Sequence, residues 1–498
     1  MCWIVWVFDL HKTWNHDLPK MSLDLLKWNK NRGQEWYGVS VLTEVWEILT
    51  YKFQDIYDPN IYQALQDIQG KIIGIIGHAR YPTSWWRWSG DEYTQPFSVK
   101  TRERGFAFAF NGNIVNASDL AREQTSLPVS DDILDTQVLQ DMIIKIMDHW
   151  ETDTKRVQES IHNRIDGQCN MILMKDNGSF TLAKDRWWFR PVSYHYNPQD
   201  WFFAFSSESH ALFKIGINPK DIEHLNTGES VQYNSKSQRL IVSDMSLDVP
   251  NQKSRCFFET VYFADPETIL WKEPSTNHRY RLGQELARWD SNYFSREDTV
   301  VIDVPASSLS SAKWYAESID LVHLSSAITK NPHASRTFIS DDASRQKKIE
   351  EKYIFNPELK KYIQWKKLVL IDDSIVRGST LEYLIQQIQD FYEPSEIHIR
   401  IPSPPITGPC YYAINLKHPS ELLARKFFID SNNPTLEEFE NLAKYFWVHS
   451  IKYVNKDQMI QALRVNVKDM CLGCITGKYP TPSGQALFET QIQEKEAN

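Results

Sequence analysis

The chain has 498 residues, which is too many for one ordinary hydrophobic core and favours two to four domains. Its formal charge of -9 argues against a general nucleic-acid-binding protein, which would present a basic face. No apolar run approaches the roughly 20 residues of a membrane span, and the N-terminus lacks the features of a secretory signal, so we expect a cytoplasmic protein without membrane or nucleic-acid partners.

The first half of the chain predicts short β-strands separated by turns. Runs of apolar or alternating residues bounded by Gly, Asn and Asp are typical of strands. These runs are CWIVWVFDL, KIIGIIGHARY, GFAFAFNGN, CNMILMK, SFTLAK and WFFAFSS. Between them, the apolar spacing from Asp135 to Asp148 predicts a helix. The mixture predicts stacked sheets flanked by helices.

The second half alternates in a different way. The apolar runs TVVIDVP, KLVLIDDS and EIHIRIPSP are each followed by a helical or loop segment. This order is typical of a parallel, doubly wound α/β sheet. The polar stretch from Ile241 to Arg255 is the expected seam, so we predict a first domain at residues 2–240 and a second at residues 256–498.

The stretch LVLIDDSIVRGST, from Leu368 to Thr380, predicts a phosphate-binding loop. Its apolar start predicts a buried strand with Asp372 and Asp373 at the carboxyl end, where ligands bind in open α/β sheets. The turn that follows leads into a helix from about Leu381, and amide groups at a helix N-terminus suit an anion. An ordinary strand end with a helix-capping aspartate is the alternative.

All thirteen positions of this stretch fit the signature of the type I phosphoribosyltransferases, whose substrate is phosphoribosyl pyrophosphate. Two adjacent carboxylates would repel a phosphate, so Asp372 and Asp373 are expected to hold ribose hydroxyls. The 5-phosphate would lie among the residues of the turn, which are Ser374, Arg377, Gly378, Ser379 and Thr380. The motif identifies the phosphoribosyl donor and leaves the acceptor open.

Cys2 directly follows the initiator Met. If Met1 is removed, the new α-amino group stands on the same residue as the thiol. An α-amino pKa of roughly 7.7–8.0 suits a general base near neutral pH, and a free cysteine is intrinsically nucleophilic. Taken alone, a cysteine at this position is a weak signal and is otherwise just a small early residue.

The segments around Cys2 resemble the glutaminase half of the amidophosphoribosyltransferases. They are NRGQE from Asn31, GHARYPT from Gly77, FNGN from Phe110 and LDTQVL from Leu134. The match continues in order through FRPV, SSES, VYFADPET, SRTFI, IPSPPITGPCYYAI and CITGKYPTP, and therefore covers nearly all of the chain. The resemblance implies an α+β N-terminal nucleophile (Ntn) domain, an αββα sandwich, followed by an α/β type I phosphoribosyltransferase domain with a parallel sheet.

The same resemblance implies roles for individual residues. Cys2 would attack the side-chain amide of glutamine, and Asn111 with the N–H of Gly112 would form the oxyanion hole. Arg80 would bind the substrate's α-carboxylate and Asp135 its α-ammonium group. Further residues at matching positions are Arg32 and Thr83 in the glutamine pocket, Lys330, Arg336 and Lys352 toward the pyrophosphate, and Ser310 with Asp372 and Asp373 for Mg²⁺.

Four of the six cysteines fall in the second half: Cys256, Cys410, Cys471 and Cys474. The local C-x-x-C is compatible with a metal ion or a cluster without deciding between them, and four thiolates could equally hold Zn²⁺. The resemblance favours the subgroup that carries a [4Fe–4S] cluster. It also implies a homotetramer with purine nucleotides as feedback inhibitors.

The sequence holds 18 Trp and 18 Gly, whereas Gly alone averages about 7% of residues. Several motif positions that are Gly in the family are Trp here, and they are Trp3, Trp6, Trp188, Trp271, Trp314 and Trp365. A Trp at a Gly position would overpack or strain each site by about 1–3 kcal/mol. One interpretation is a diverged paralogue. The hypothesis that we prefer is a reassigned UGA codon that encodes Gly and was translated here as Trp.

The function that these patterns predict is transfer of ammonia from glutamine to phosphoribosyl pyrophosphate. The products would be 5-phosphoribosylamine, glutamate and pyrophosphate, in the first step of purine synthesis. Two alternatives stay open from the sequence: a weakly active or regulatory paralogue, and an amidotransferase of secondary metabolism.

Overall fold

A computed structural model describes residues 2–13, 15–29, 36–68, 71–80, 91–101, 104–124, 134–149, 153–248, 251–331, 352–412, 419–430 and 434–496. The strands are β1 (Trp3–Asp9), β2 (Trp36–Thr43), β3 (Ile48–Phe53), β4 (Ile72–Arg80), β5 (Phe97–Lys100), β6 (Gly105–Ile114), β7 (Gly167–Lys175), β8 (Phe180–Ala183), β9 (Ser193–Asn197), β10 (Phe202–Ser206), β11 (Glu223–His224), β12 (Glu229–Asn234), β13 (Arg239–Asp244), β14 (Arg255–Cys256), β15 (Ile269–Leu270), β16 (Glu273–Pro274), β17 (Thr299–Asp303), β18 (Val322–His323), β19 (Ile328–Lys330), β20 (Tyr353–Phe355), β21 (Lys367–Ile371), β22 (Glu396–Ile401), β23 (Ser450–Tyr453) and β24 (Met470–Cys471).

The α-helices are α1 (Leu18–Trp28), α2 (Pro59–Gln66), α3 (Ala117–Gln124), α4 (Asp135–His149), α5 (Thr154–His162), α6 (Ser209–Lys214), α7 (Ser275–Ala287), α8 (Leu309–Ser318), α9 (Lys360–Ile363), α10 (Ser379–Tyr392), α11 (Ala424–Phe427), α12 (Leu436–Tyr445), α13 (Lys456–Leu463), α14 (Gly473–Thr476) and α15 (Pro482–Glu496). A π-helical turn spans Glu259–Phe263. Within the described residues, none of these helices combines the length and the apolar character that crossing a bilayer requires.

Two antiparallel sheets form the first half of the molecule. Their strand orders are β11-β9-β10-β1-β4-β2-β3 and β13-β12-β8-β7-β6-β5. The sheets pack face to face through an apolar layer that includes Ile4, Phe8 and Ile172. Helix α1 covers the outer face of the first sheet, and α4 with α5 cover the outer face of the second. This is the predicted αββα sandwich.

The alternation of side chains along β1 explains why this strand is buried on both faces. Trp3, Val5 and Val7 pack toward α1, while the even-numbered Ile4, Trp6 and Phe8 face the second sheet. In β6 the residues that face the first sheet are the odd-numbered ones, such as Ala107 and Ala109. This alternation therefore also sets the directions of the side chains at the ends of β1 and β6.

The second half contains a parallel sheet in the order β18-β17-β21-β22-β23. Alternate residues of its central strands pack on opposite layers: Val369 and Ile371 toward α7 and α8, and Leu368 and Leu370 toward α10 and α12. Both faces are covered, as expected for strands that read as continuous apolar runs. The predicted parallel α/β domain is confirmed.

The polar stretch between the two halves is not their sole connection in the described residues, because residues from late in the chain also contact the first half. The predicted end of the first domain at residue 240 falls inside β13, which pairs with β12 of the second antiparallel sheet. C-terminal residues return to the first half: Tyr411, Tyr412 and Tyr479 pack with Trp187 and Phe189. The side chain of Asn113 donates to the carbonyl of Tyr411 at 2.6 Å. The chain after residue 410 therefore ties the sandwich to the parallel-sheet domain.

Tryptophans occupy left-handed backbone conformations at several positions. Trp188, Trp271 and Trp365, which were singled out from the sequence, have φ of 52°, 53° and 63°. The others are Trp46, Trp201 and Trp447, with φ of 64°, 56° and 58°. Glycine is the residue that adopts such φ values without a steric penalty. The backbone at these positions favours the reassigned-codon hypothesis.

Trp3, Trp6 and Trp314 differ from this group because they lie in β1 and α8, and none of them has a positive φ. Their backbone alone does not require glycine. The indole N–H of Trp6 is fully buried and finds no hydrogen-bond partner among the described residues. A buried donor without a partner costs about 1–3 kcal/mol, so tryptophan is also unfavourable there.

Candidate active sites

The first candidate site lies at one end of the sandwich. Cys2 precedes β1 with the same parity as Ile4, and Asn111 in β6 has the parity of Ala109. Arg80 ends β4, which pairs with β1 so that Trp3 lies opposite Ala79. Alternation therefore directs the thiol, the amide and the guanidinium toward the space between the sheets.

Asp135 begins helix α4 and joins this group. Its carboxylate accepts a hydrogen bond from the N–H of Ile114 at 3.4 Å. Burial, together with the charge of the nearby Cys2, raises the pKa of Asp135 to about 6. A half-buried carboxylate beside the thiol is suited to pair with a substrate ammonium group.

Gly112 lies so close to the neighbouring strand β7 that a side chain would not fit. A Cβ atom on this residue would stand 1.9 Å from the carbonyl oxygen of Gln168 and 2.5 Å from its carbon. Only glycine allows β6 and β7 to approach so closely at this point. The neighbouring Asn111 is 1% exposed, and its side-chain N–H₂ has no hydrogen-bond partner among the described residues. An unpartnered buried donor next to Gly112 is what an oxyanion hole requires.

His78 is a member of this end of the sandwich that the sequence did not single out. It has the inward parity of Arg80 and is fully buried, with neither ring nitrogen hydrogen-bonded within the described part of the chain. Burial lowers the pKa of His78 well below its usual value, and the charges of Arg80 and the N-terminus lower it further.

The second candidate site lies at the carboxyl end of β21, as predicted. Leu368–Ile371 are fully buried and Asp372 and Asp373 follow directly. Gly378 has φ of 87° and precedes α10, which starts at Ser379, two residues before the expected Leu381. The left-handed glycine turns the chain into the helix, so the first amide groups of α10 face the loop.

Asp373 is buried, Asp372 is half-buried, and the two are adjacent in the chain. Burial and then the charge of Asp373 raise the pKa of Asp372 well above its usual range, and burial likewise raises the pKa of Asp373. The ammonium groups of Lys330 and Lys352 oppose the rise at Asp372. These lysines come together because β19 pairs with β20, and the N–H of Asn331 donates to the carbonyl of Lys352 at 2.9 Å. Lys330 and Lys352, two of the three predicted basic residues, therefore lie near the aspartate pair.

Some predicted residues have other partners in this structure. The guanidinium of Arg377 donates to the carboxylate of Glu421, with its Nε at 2.7 Å. The hydroxyl of Ser310 lies 3.1 Å from that of Thr276. It is Ser307, which the sequence did not single out, that donates to Asp373. Arg32, Thr83 and Arg336 lie outside the described residues.

The structure draws the four second-half cysteines together. Cys256 lies opposite Cys471 in the parallel pair β14–β24, and the N–H groups of Thr407 and Gly408 donate to the carbonyl of Cys474. Burial and then the charge of Cys410 raise the pKa of Cys256 to about 12. Burial raises the pKa of Cys474 well above its usual value, followed by the charges of the other three thiols. In the described part of the chain, no group of three or more His, Cys, Asp or Glu is arranged so that it could hold a metal ion.

Two further residues near the first site were missed from the sequence. Arg190 belongs to the FRPV segment, which served only as a match, and its guanidinium donates to the amide oxygen of Asn111 at 3.2 Å. Glu259, in the VYFADPET region, lies 3.4 Å from the same guanidinium. A charged residue inside an apolar motif was the only sequence signal that could have revealed them.

The chain is similar to a known domain family and, over nearly its full length, to known enzymes. Residues 88–214 match a family model described as a glutamine amidotransferase domain. The chain is 28% identical to the amidophosphoribosyltransferase of Methanocaldococcus jannaschii over 91% of this chain and 92% of that protein. It is 27% identical to that of Bacillus subtilis, over 97% and 95% of the two chains.

A solved structure extends the likeness to the fold. The glutamine phosphoribosylpyrophosphate amidotransferase of B. subtilis, in complex with ADP and GMP, superposes with a TM-score of 0.75. That match has 26% identity and covers 97% of this chain and 98% of the other. At 28% identity to one relative over nearly the full length, the chain is similar to the amidophosphoribosyltransferases and shares the two-domain fold of one of them.

Proposed function

We propose that this chain is a glutamine-dependent amidophosphoribosyltransferase that opens purine synthesis. It converts glutamine, water and phosphoribosyl pyrophosphate to 5-phosphoribosylamine, glutamate and pyrophosphate. The observation that carries the proposal is the presence of both half-sites in one chain: an N-terminal cysteine beside Asn111 and Asp135, and an aspartate pair before a phosphate-binding turn.

The glutaminase half acts first. The α-amino group of Cys2 takes the thiol proton, and the sulfur attacks the side-chain carbonyl of glutamine. The side-chain N–H₂ of Asn111 and the N–H of Gly112 stabilise the oxyanion, a contribution of about 3–4 kcal/mol per donor. The C–N bond breaks and ammonia leaves with the proton, and water then hydrolyses the thioester to glutamate. Arg80 and Asp135 hold the substrate's α-carboxylate and α-ammonium.

The second half uses the ammonia, which travels inside the protein. Its nitrogen attacks C1 of the ribose and pyrophosphate leaves. Asp372 and Asp373 hold the ribose hydroxyls, and the turn from Ser374 through Thr380 holds the 5-phosphate, while Lys330, Lys352 and Arg336 bind the pyrophosphate. Asp372, Asp373 and Ser310 offer hard oxygen atoms of the kind that Mg²⁺ prefers and would hold this ion, which would supply positive charge against the leaving pyrophosphate. Arg377 must release Glu421 to reach the phosphate.

The four grouped cysteines support a [4Fe–4S] cluster with a structural role. Cys256 lies at the domain seam, while Cys471 and Cys474 belong to the C-terminal segment, so a shared cluster would tie the two together. Anaerobically purified protein is expected to be brown and to contain about four iron atoms, since each thiolate binds one iron of the cluster. Colourless protein with stoichiometric zinc would contradict the cluster and favour a Zn²⁺ site.

Regulation follows from the same assignment. The Bacillus subtilis structure holds ADP and GMP, and we expect purine nucleotides to inhibit this chain in a homotetramer.

Production of glutamate and phosphoribosylamine tests the function. Purified protein should release glutamate from glutamine, and the release should be stimulated by phosphoribosyl pyrophosphate. Cys2→Ala should abolish glutamine-dependent synthesis, because it removes the proposed nucleophile, but should retain synthesis from added ammonium salt. Mass spectrometry of the trapped product shows which compound has received the amino group.

Other outcomes would point to the alternatives. Tight binding of phosphoribosyl pyrophosphate without turnover of either nitrogen donor would indicate a regulatory paralogue. An aminated product other than 5-phosphoribosylamine would indicate an amidotransferase of secondary metabolism. Full glutamine-dependent activity in Cys2→Ala would contradict the assigned nucleophile.

A further inference from the structure

Arg190 connects the oxyanion hole to the other domain. It lies in the loop between β8 and β9, and its side chain is 1% exposed. One terminal nitrogen donates to the side-chain oxygen of Asn111 at 3.2 Å. On its other side, Nε lies 3.4 Å from a carboxylate oxygen of Glu259, which is 2% exposed and begins the π-helical turn after the seam.

The contact to Asn111 decides which way its amide points. A guanidinium only donates, so the atom of Asn111 that faces Arg190 must be the oxygen. The amide nitrogen is then turned the other way, where it is buried and has no partner among the described residues. Without Arg190, the amide could rotate and present its oxygen to the oxyanion, which would repel it.

Glu259 supplies the charge that keeps Arg190 in place. A guanidinium buried to this degree requires a partner, and removal of one member of a buried pair costs about 3–5 kcal/mol. The ring of Phe263, on the same π-helical turn, lies 5.9 Å below the guanidinium carbon. The carbonyl of Arg190 also accepts a hydrogen bond from the buried Lys184. Both the backbone and the side chain of Arg190 are thus held on several sides.

We propose that Arg190 is a positioning residue that orients Asn111 for glutamine hydrolysis, and that Glu259 holds it there from across the domain seam. The proposal rests on the assignment of Asn111 to the oxyanion hole. Because the Glu259 turn belongs to the parallel-sheet half, a shift of this turn changes the orientation of the oxyanion donor. The glutaminase site is therefore complete only when the two halves are in contact.

Kinetics on Arg190→Gln and Glu259→Gln in the full-length protein test the inference. We expect kcat for glutamine hydrolysis to fall about 10–100-fold in Arg190→Gln, less than the loss of a donor itself, while KM for glutamine changes less than about twofold. Binding of glutamate γ-semialdehyde, whose adduct carries the oxyanion, should weaken by a similar factor. Glu259→Gln should show a smaller loss of the same kind, and Arg190→Lys should recover part of kcat because an ammonium can still donate to Asn111.

Two controls separate this role from general damage. Ammonia-dependent synthesis does not use Asn111, so it should remain normal in every variant. Arg186→Gln removes a half-buried arginine from the same loop whose guanidinium lies over the ring of Trp187, and its kcat should be unchanged.

The inference is overturned if kcat is unchanged in Arg190→Gln, if KM alone rises, or if ammonia-dependent synthesis falls in parallel. Failure of the proposed function looks different, since the unaltered protein would then release no glutamate and form no phosphoribosylamine.

Discussion

Glycine in place of tryptophan at positions 365 and 447 is expected to stabilise the protein by about 1–2 kcal/mol in total. A left-handed conformation costs a non-glycine residue about 1–2 kcal/mol, of which the flexibility of glycine in the unfolded chain cancels roughly 0.5–1. Trp365 is 73% exposed and Trp447 is 91% exposed, so little packing is lost. Denaturant midpoints of the single and double variants measure the effect.

The local geometry at Trp447 shows why glycine is favoured there. Helix α12 ends at Tyr445, and Trp447 donates its N–H to the carbonyl of Lys444 while Val448 donates to Ala443. This pair of bonds is the Schellman motif, in which the left-handed residue is usually Gly. At Trp271 the turn between β15 and β16 also needs positive φ, with Lys272 at 82°.

A tryptophan with ordinary helical geometry provides the matched control. Trp28 is 48% exposed at the end of α1 and is not among the positive-φ residues. Trp28→Gly should destabilise by about 1 kcal/mol because glycine is unfavourable in a helix. If Trp365→Gly and Trp447→Gly destabilise as well, the strain argument is wrong. The gene gives an independent answer: TGA is expected at the positive-φ positions, and TGG would refute the reassigned codon.

Alanine at Gly112 should reduce glutamine-dependent turnover at least about 100-fold. The new methyl carbon would lie 1.9 Å from the carbonyl oxygen of Gln168, so β6 must move away from β7. That movement shifts the Gly112 N–H and the adjacent Asn111, and loss of one oxyanion donor costs about 10²–10³ in kcat. Stopped assays of glutamate release measure the loss, with ammonia-dependent synthesis as the internal reference.

Gly105→Ala in the same strand is the control for this effect. A Cβ atom on Gly105 would come no closer than 3.3 Å to the flexible side chain of Asp176. Gly105 begins β6 and therefore lies at the opposite end of this strand from Gly112. Glutamine turnover should stay near that of the unaltered protein. Near-normal turnover in Gly112→Ala would show that this N–H does not act on the oxyanion.

Local signals in the sequence were sufficient for most of the fold. Leu368–Ile371 predicted a buried parallel strand because four consecutive apolar residues fit a sheet that is covered on both faces. The alternating runs of the first half predicted its strands for the same reason. The helix predicted from Asp135 to Asp148 is observed as α4, which ends one residue later. In each case the pattern repeats within a few residues, so neighbouring positions carry the information.

The site residues also differ in how much local sequence signal they carry. The loop around Asp372 and Gly378 could be identified because its donors are consecutive in the chain. Cys2 needed the resemblance of several distant segments, since a second-position cysteine has no local signature of its own. The amino-acid composition alone raised the tryptophan hypothesis, but the strained positions Trp46, Trp201 and Trp447 emerged only from the backbone.

By itself, the sequence determined the two kinds of domain and predicted a nucleophile and a phosphate-binding loop, because each depends on residues that are close in the chain or that match a family motif. The tertiary structure decided which way Asn111 faces. Arg190 is 79 positions away from it and Glu259 lies in the other domain. The structure likewise paired Ser307, rather than Ser310, with Asp373. A side chain's partner depends on how separate elements pack, and that packing is not encoded in local spacing.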